Sequence, residues 1–200
     1  MRILAMKQVI IILCALIIIS CSCQNNRVGY MPDGVFSNDQ KRNDYILKWY
    51  VEHLIALQEP SLYEFSNDYQ VHSYRFLWLR TFDNPIALRL LLKNDGSAIL
   101  NVKVTNGKGG YNPGQLTENQ TLNITKVQVD NFLELLNHAN FWDLPTMDGK
   151  EGLDGTTWTL EGVKAGKYQL VVRWSPEEGH FQHAALFLLS LSNLDIDKAY

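Results

Sequence analysis

Glu161 and Arg173 occupy positions of one predicted β-hairpin that place them on a common face with Thr157 and Gln169. A guanidinium fixed beside a carboxylate presents a planar donor array to an anion, so this pair, with Asp154 just ahead of the hairpin, forms the leading candidate binding surface. Left uncovered, the same pair is a solvated contact contributing about 0 to 1 kcal/mol. Asp143, Asp148, Glu151 and Asp154 make an acidic loop punctuated by Gly149, Gly152 and Gly155, rich in oxygen ligands but without the EF-hand spacing that calcium loops use. Glu161 and Asp154 are also carboxylates of the kind glycoside hydrolysis requires in pairs. His180 and His183 stand three apart at a helix start, behind Glu177 and Glu178, close enough to share a metal; the His-Glu-x-x-His pattern of zinc enzymes is absent. His53, His72 and His138 are scattered, with His53 on the buried side of a helix. Gly107-Lys108-Gly109-Gly110 lacks the ending of a phosphate-binding loop, and no Gly-x-Ser-x-Gly elbow occurs, so no catalytic residue, metal or cofactor is assigned.

The elements that must position these groups are legible from periodicity. Asn43 or Asp44 can cap a helix whose Ile46, Trp49, Tyr50, His53, Leu54 and Leu57 recur at helical spacing, ending before Pro60. From Tyr74 the period changes to two, with Tyr74, Phe76 and Trp78 on one face of a strand and a turn at Asp83-Asn84-Pro85. A three-residue loop Asn94-Asp95-Gly96 then pairs Leu92 with Ala98, Leu90 with Leu100, Leu88 with Val102 and Ile86 with Val104, and puts Gly96 at the left-handed loop position. A two-residue loop would mix the faces. A fourth strand is predicted over Leu116–Ile124, followed by a helix from Thr125 with Gln128 completing a capping box and Val127, Phe132, Leu133, Leu136 and Ala139 as its buried stripe. Applied to the second hairpin, the same reasoning selects a loop Lys164-Ala165-Gly166, with Leu160 beside Leu170 and Trp158 beside Val172. A last helix, from about Phe181 to Leu194, is apolar nearly all round and belongs on the sheet. This order predicts an α+β fold: a mostly antiparallel sheet built from hairpins, with an N-terminal helix, a middle helix and a buried C-terminal helix.

Ahead of this domain, Arg2 and Lys7 precede the unbroken apolar run Val9–Ile19, which is short of the roughly 20 residues a bilayer span needs, and Ser20-Cys21 follows at once. Ile18-Ile19-Ser20-Cys21 resembles the lipobox of bacterial lipoprotein precursors, with a larger residue than that family prefers at Ile19. The resemblance implies cleavage after residue 20 and lipidation of Cys21, as in acylated, palmitate-bearing lipoproteins. Cys23, preceded by Ser20-Cys21-Ser22, lacks the aliphatic residue. Residues 21–42 are polar and small and read as a flexible tether, leaving 43–200 as a single α+β domain. Cys14 departs with the leader, so the domain has no disulfide, thiolate nucleophile or Cys-ligated zinc.

With 46% hydrophobic and 20% charged residues the chain has a core to bury and is not disordered. Once Arg2 and Lys7 are removed, 16 basic face 21 acidic residues, which excludes a nucleic-acid surface and fits a body held at a membrane by acyl chains. Phe141-Trp142-Asp143-Leu144-Pro145, Asp154–Gly162, Gly166-Lys167-Tyr168 and Arg173-Trp174-Ser175-Pro176 together resemble a segment of uncharacterised exported bacterial proteins, a likeness that implies no activity. The sequence therefore points to a lipid-anchored cell-envelope module, facing the periplasm or exterior, that binds an envelope protein or glycan without catalysis. The alternative is an envelope hydrolase using the acidic loop with His180 or His183.

Overall fold

The computed structural model describes residues 29–196; the leader, Cys21 and Cys23 lie outside the described residues. Helix α1 (Gln40–Ala56) is followed by a single helical turn, α2 (Leu62–Phe65), and strands β1 (His72–Arg80), β2 (Ile86–Leu92), β3 (Ala98–Thr105) and β4 (Leu116–Ile124). Helix α3 (Lys126–His138), a 3-10 turn at Phe141–Asp143, strands β5 (Thr156–Lys164) and β6 (Lys167–Trp174), and helix α4 (His180–Ser190) complete the chain. The strands form one antiparallel sheet in the order β4-β3-β2-β1-β5-β6. The fold is α+β, as the segregation of hairpins and helices requires.

Both faces of the sheet are covered. On one, Tyr74, Phe76, Trp78, Leu88, Leu100, Trp158 and Leu160 pack with Phe132 and Leu136 of α3 and Ala184, Ala185 and Leu188 of α4. On the other, Leu77, Leu79, Ala87, Leu170 and Val172 pack under Tyr50, Leu54 and Leu57 of α1. Burial of aromatic and aliphatic side chains on two faces is the main stabilising contribution, roughly 25 cal/mol per Å² of apolar surface.

The first hairpin has the register that its alternation dictates: Leu92 faces Ala98, Leu90 Leu100, Leu88 Val102 and Ile86 Val104, and Gly96 has φ +83°. The second does not. Lys164 pairs directly with Lys167 across a two-residue turn, Ala165-Gly166, in which both residues are left-handed at φ +48° and +77°. Leu160 therefore lies opposite Val171, and Trp158 opposite Arg173. The reason is that β5 and β6 are covered on both sides, so apolar pairing satisfies either register and turn geometry decides. In the first hairpin Arg89, Asn101 and Lys103 mark one face as polar, and alternation alone suffices.

Two boundaries and one helix face also move. Helix α1 starts at Gln40, capped by Asp39, whose carboxylate accepts from the Arg42 N–H; Asn43, expected as a cap, is buried, and its Oδ1 accepts from the Phe36 N–H. The segment expected to be tether is packed from Tyr30 onward, because Met31 and Phe36 are buried and Phe36 stacks on Tyr50 at 4.9 Å. In α3 the capping box of Thr125 and Gln128 forms, but the inward stripe is Val129, Phe132 and Leu136, and Val127 faces solvent.

Candidate functional site

The one-residue change of register separates the residues expected to work together. Glu161 faces α1 and is fully buried, whereas Arg173 lies on the opposite face of the sheet. Arg173 donates to the carbonyls of Pro145 and Thr146, pairs with Asp148 at 3.8 Å, and sits 5.7 Å from the Phe181 ring centroid. Burial lowers the pKa of its guanidinium, against the opposing pull of Asp148. It is a strut between the acidic loop and α4. Asp154 is exposed in that loop and belongs to neither environment.

Glu161 has a partner that the sequence reading missed. Arg75 Nη2 lies 2.7 Å from both Glu161 oxygens, and Tyr168 adds its hydroxyl at 3.2 Å. Glu59, just after α1, lies 3.4 Å from Arg75, 2.8 Å from Arg89 and 3.0 Å from Lys103. Arg75 Nη1 and Lys103 Nζ also donate to the carbonyls of Pro60 and Gln58, each at 2.6 Å. Three cations and two carboxylates, on four neighbouring strands and one connection, thus pair with one another, clamping residues 58–60 to the sheet. The signal was in the sequence: Arg75, Arg89 and Lys103 each interrupt an apolar strand.

The accessible candidate is a cleft beside this cluster. A cavity of about 480 Å³ opens between α1 and the loop preceding β5, with Tyr45, Trp49 and Tyr50 on one wall, Met147–Gly152 on the other, and Thr157, Val172 and Trp174 as floor. Tyr50 is positioned from below by the Thr159 hydroxyl at 3.1 Å, and Trp49 packs edge-on against Tyr50 and His53. The indole of Trp174 lies against Gly152 and Gly155, where any Cβ would collide with it. Backbone bonds hold the loop's ends: Thr81 N–H donates to Gly155 O at 2.9 Å and Val172 N–H to Thr146 O at 2.7 Å. At the far end Gly110 N–H donates to Thr81 O, setting the Gly-rich loop 106–114 over the sheet. Gly109 fits there because a Cβ would stand 2.6 Å from backbone atoms of Arg80.

Of the four charged residues lining the cleft, Arg42, Asp148, Lys150 and Glu151, all but Lys150 are held in ion pairs. Arg42 and Glu151 form an ion pair across the mouth, and Asp148 is held by Arg173. His53 is buried behind Trp49: its Nδ1 lies 2.9 Å from Trp49 O, its Nε2 lies against the Lys108 backbone without a well-formed bond, and burial lowers its pKa. His180 and His183 point away from the cleft on α4, where His180 neighbours His138, with ring centroids 5.4 Å apart. Among the described residues no group of three His, Cys, Asp or Glu side chains converges to hold a metal, and no helix is long and apolar enough to cross a membrane. No protein-family model matches the chain, and no curated protein matches it.

Proposed function

We propose that this protein is a lipid-anchored module of the bacterial cell envelope that captures an uncharged glycan in the cleft between α1 and the acidic loop, without catalysing a reaction on it. The carrying observation is the aromatic cleft: Tyr45, Trp49 and Trp174 converge on one open cavity of about 480 Å³, with the buried Tyr50 behind them. Flat ring faces match the C–H faces of pyranoses, while the wet rim leaves sugar hydroxyls hydrated. A purely apolar ligand would call for an enclosed site, yet Tyr45 is 75% exposed. A charged ligand would call for a concentration of unmatched charge, yet Arg42, Glu151 and Asp148 are paired within the protein and Lys150 alone is left at the rim.

The hydrolase reading has less support. Glu161 is buried under α1, Asp154 is in an exposed loop, and His180 and His183 are on another helix, so they cannot act on one bond. The carboxylates that do line the cleft, Asp148 and Glu151, are each engaged by a guanidinium of the protein itself. The anchor rests on Ile18-Ile19-Ser20-Cys21. Cys21→Ala should abolish metabolic lipid labelling; labelling that persists moves the acceptor to Cys23. Titration of the domain with soluble gluco-configured oligosaccharides should change tryptophan emission, and Trp174→Ala should remove the response. A full response in that variant would refute the cleft as the site.

A further inference from the structure

The cleft does not end at the first cavity. A second, of about 290 Å³, shares Trp49, Gly110, Gly152, Thr157 and Trp174 with it and continues past Thr81 and Leu153 to Tyr111. Tyr111 is 64% exposed and lies 6.2 Å from Phe82, itself 53% exposed, with their ring planes inclined by 33°. Two exposed aromatic rings side by side at the end of a groove are unfavourable in water unless something covers them. Tyr45 thus lines the first cavity, Trp49 and Trp174 line both, and Tyr111, with Phe82 beside it, lines the second.

From this arrangement we infer that the ligand is a chain rather than a single sugar: a β-1,4-linked, gluco-configured oligosaccharide spanning both cavities, with one unit in the larger cavity and the next over Tyr111. This rests on the glycan reading of the cleft and adds to it the polymeric nature of the ligand. The linkage follows from the shape. Equatorial β-1,4 bonds keep successive rings extended in a flat ribbon whose faces carry axial C–H groups, which is what spaced aromatic platforms on an open trough can stack against. A branched or axially linked chain turns its rings out of the trough after one unit. Trp49 and Trp174, common to both cavities, stand at the junction and contact both units.

The test is a length series. Cello- and chito-oligosaccharides of one, two, three and four units are titrated into the intact domain, wild type and Tyr111→Ala, with tryptophan emission and calorimetry as readouts. Affinity should rise at least about tenfold from one unit to two or three and then level off. Tyr111→Ala, at an exposed position and therefore folding normally by circular dichroism, should lose most of that gain while keeping the single-unit affinity. Equal affinity for one unit and for longer chains, or a length gain untouched in Tyr111→Ala, overturns the chain inference and leaves the cleft reading standing. Absence of binding at every length overturns both.

Discussion

Arg75 on β1 and Glu161 on β5 face each other in the register of the sheet and meet through both carboxylate oxygens at 2.7 Å, with neither side chain reached by solvent. Burial by itself would lower the guanidinium's pKa, but Glu161 and Glu59 more than offset this and raise it, so the guanidinium stays ionised. Desolvating five charged groups is costly, and the gain comes from the attraction of three cations to two carboxylates and from the carbonyls of Gln58 and Pro60 that the cations also hold. The connection after α1 is thereby fixed, and with it the helix that forms one wall of the cleft.

Breaking the pair on one side should therefore cost far more than removing it altogether. Glu161→Gln leaves a buried cation short of its anion, with an expected loss of about 3–5 kcal/mol. The double variant Arg75→Met/Glu161→Met should recover more than half of it, because Glu59 remains balanced by Arg89 and Lys103. Urea unfolding of the three proteins measures this. A single variant within 1 kcal/mol of wild type would contradict the burial of the cluster.

Acid should destabilise the fold in a window set by His72. Its imidazole is half-buried and bonded to the Tyr74 hydroxyl at 3.0 Å, and burial, followed by nearby Lys164, pushes its pKa from 6.5 down to about 4. Between those values the unfolded chain binds a proton that the folded chain does not, so this stability is complete above about pH 6.5 and is lost as pH falls through 4. Solvent screening of a half-exposed group holds the loss to about 1–2 kcal/mol. His53, whose pKa is lowered in the same sense, adds to it. Unfolding midpoints at pH 7, 5.5 and 4.5 should decline less steeply in His72→Gln than in wild type; parallel declines would remove His72 as the cause.

Arg173 acts on the cleft from behind. Its bonds to Pro145 and Thr146 and its contact with Asp148 hold the loop that forms the second wall. Arg173→Ala should lower stability by about 1.5–3 kcal/mol, the range for hydrogen bonds to charged groups, and shift Trp174 emission to the red as the loop loosens. Unchanged stability and emission would show that the loop stands without it.

The register of the first hairpin was readable because its two strands carry their own polarity: Arg89, Asn101 and Lys103 alternate with leucine and valine, and only one register keeps them together. The ionic cluster was hidden because Glu59 lies in a connection whose place over the sheet depends on the entire fold. The Glu161–Arg173 site was misread for a local reason. Strands buried on both faces carry no alternation to fix register, so a single residue of turn length moved Arg173 to the other side. The cleft was legible only in fragments, as an aromatic helix, a glycine loop and an acidic loop far apart in the chain.

The turn that decides this register should be improvable. Two-residue hairpin turns with both residues left-handed favour Asn-Gly, and here Ala165 holds φ +48° without a side chain suited to it. A left-handed L-residue costs roughly 1–2 kcal/mol, which Asn, hydrogen-bonding locally, reduces without the entropy loss of glycine. Ala165→Asn should therefore stabilise the protein by about 0.5–1 kcal/mol, and Ala165→Gly by less. Gly166→Ala should destabilise it, since φ is +77° and the new Cβ would stand 2.6 Å from the Tyr69 ring. Thermal unfolding midpoints order the three. If Ala165→Asn gives no gain while Gly166→Ala remains costly, Ala165 is not left-handed, and the three-residue loop with Leu160 beside Leu170 regains its place.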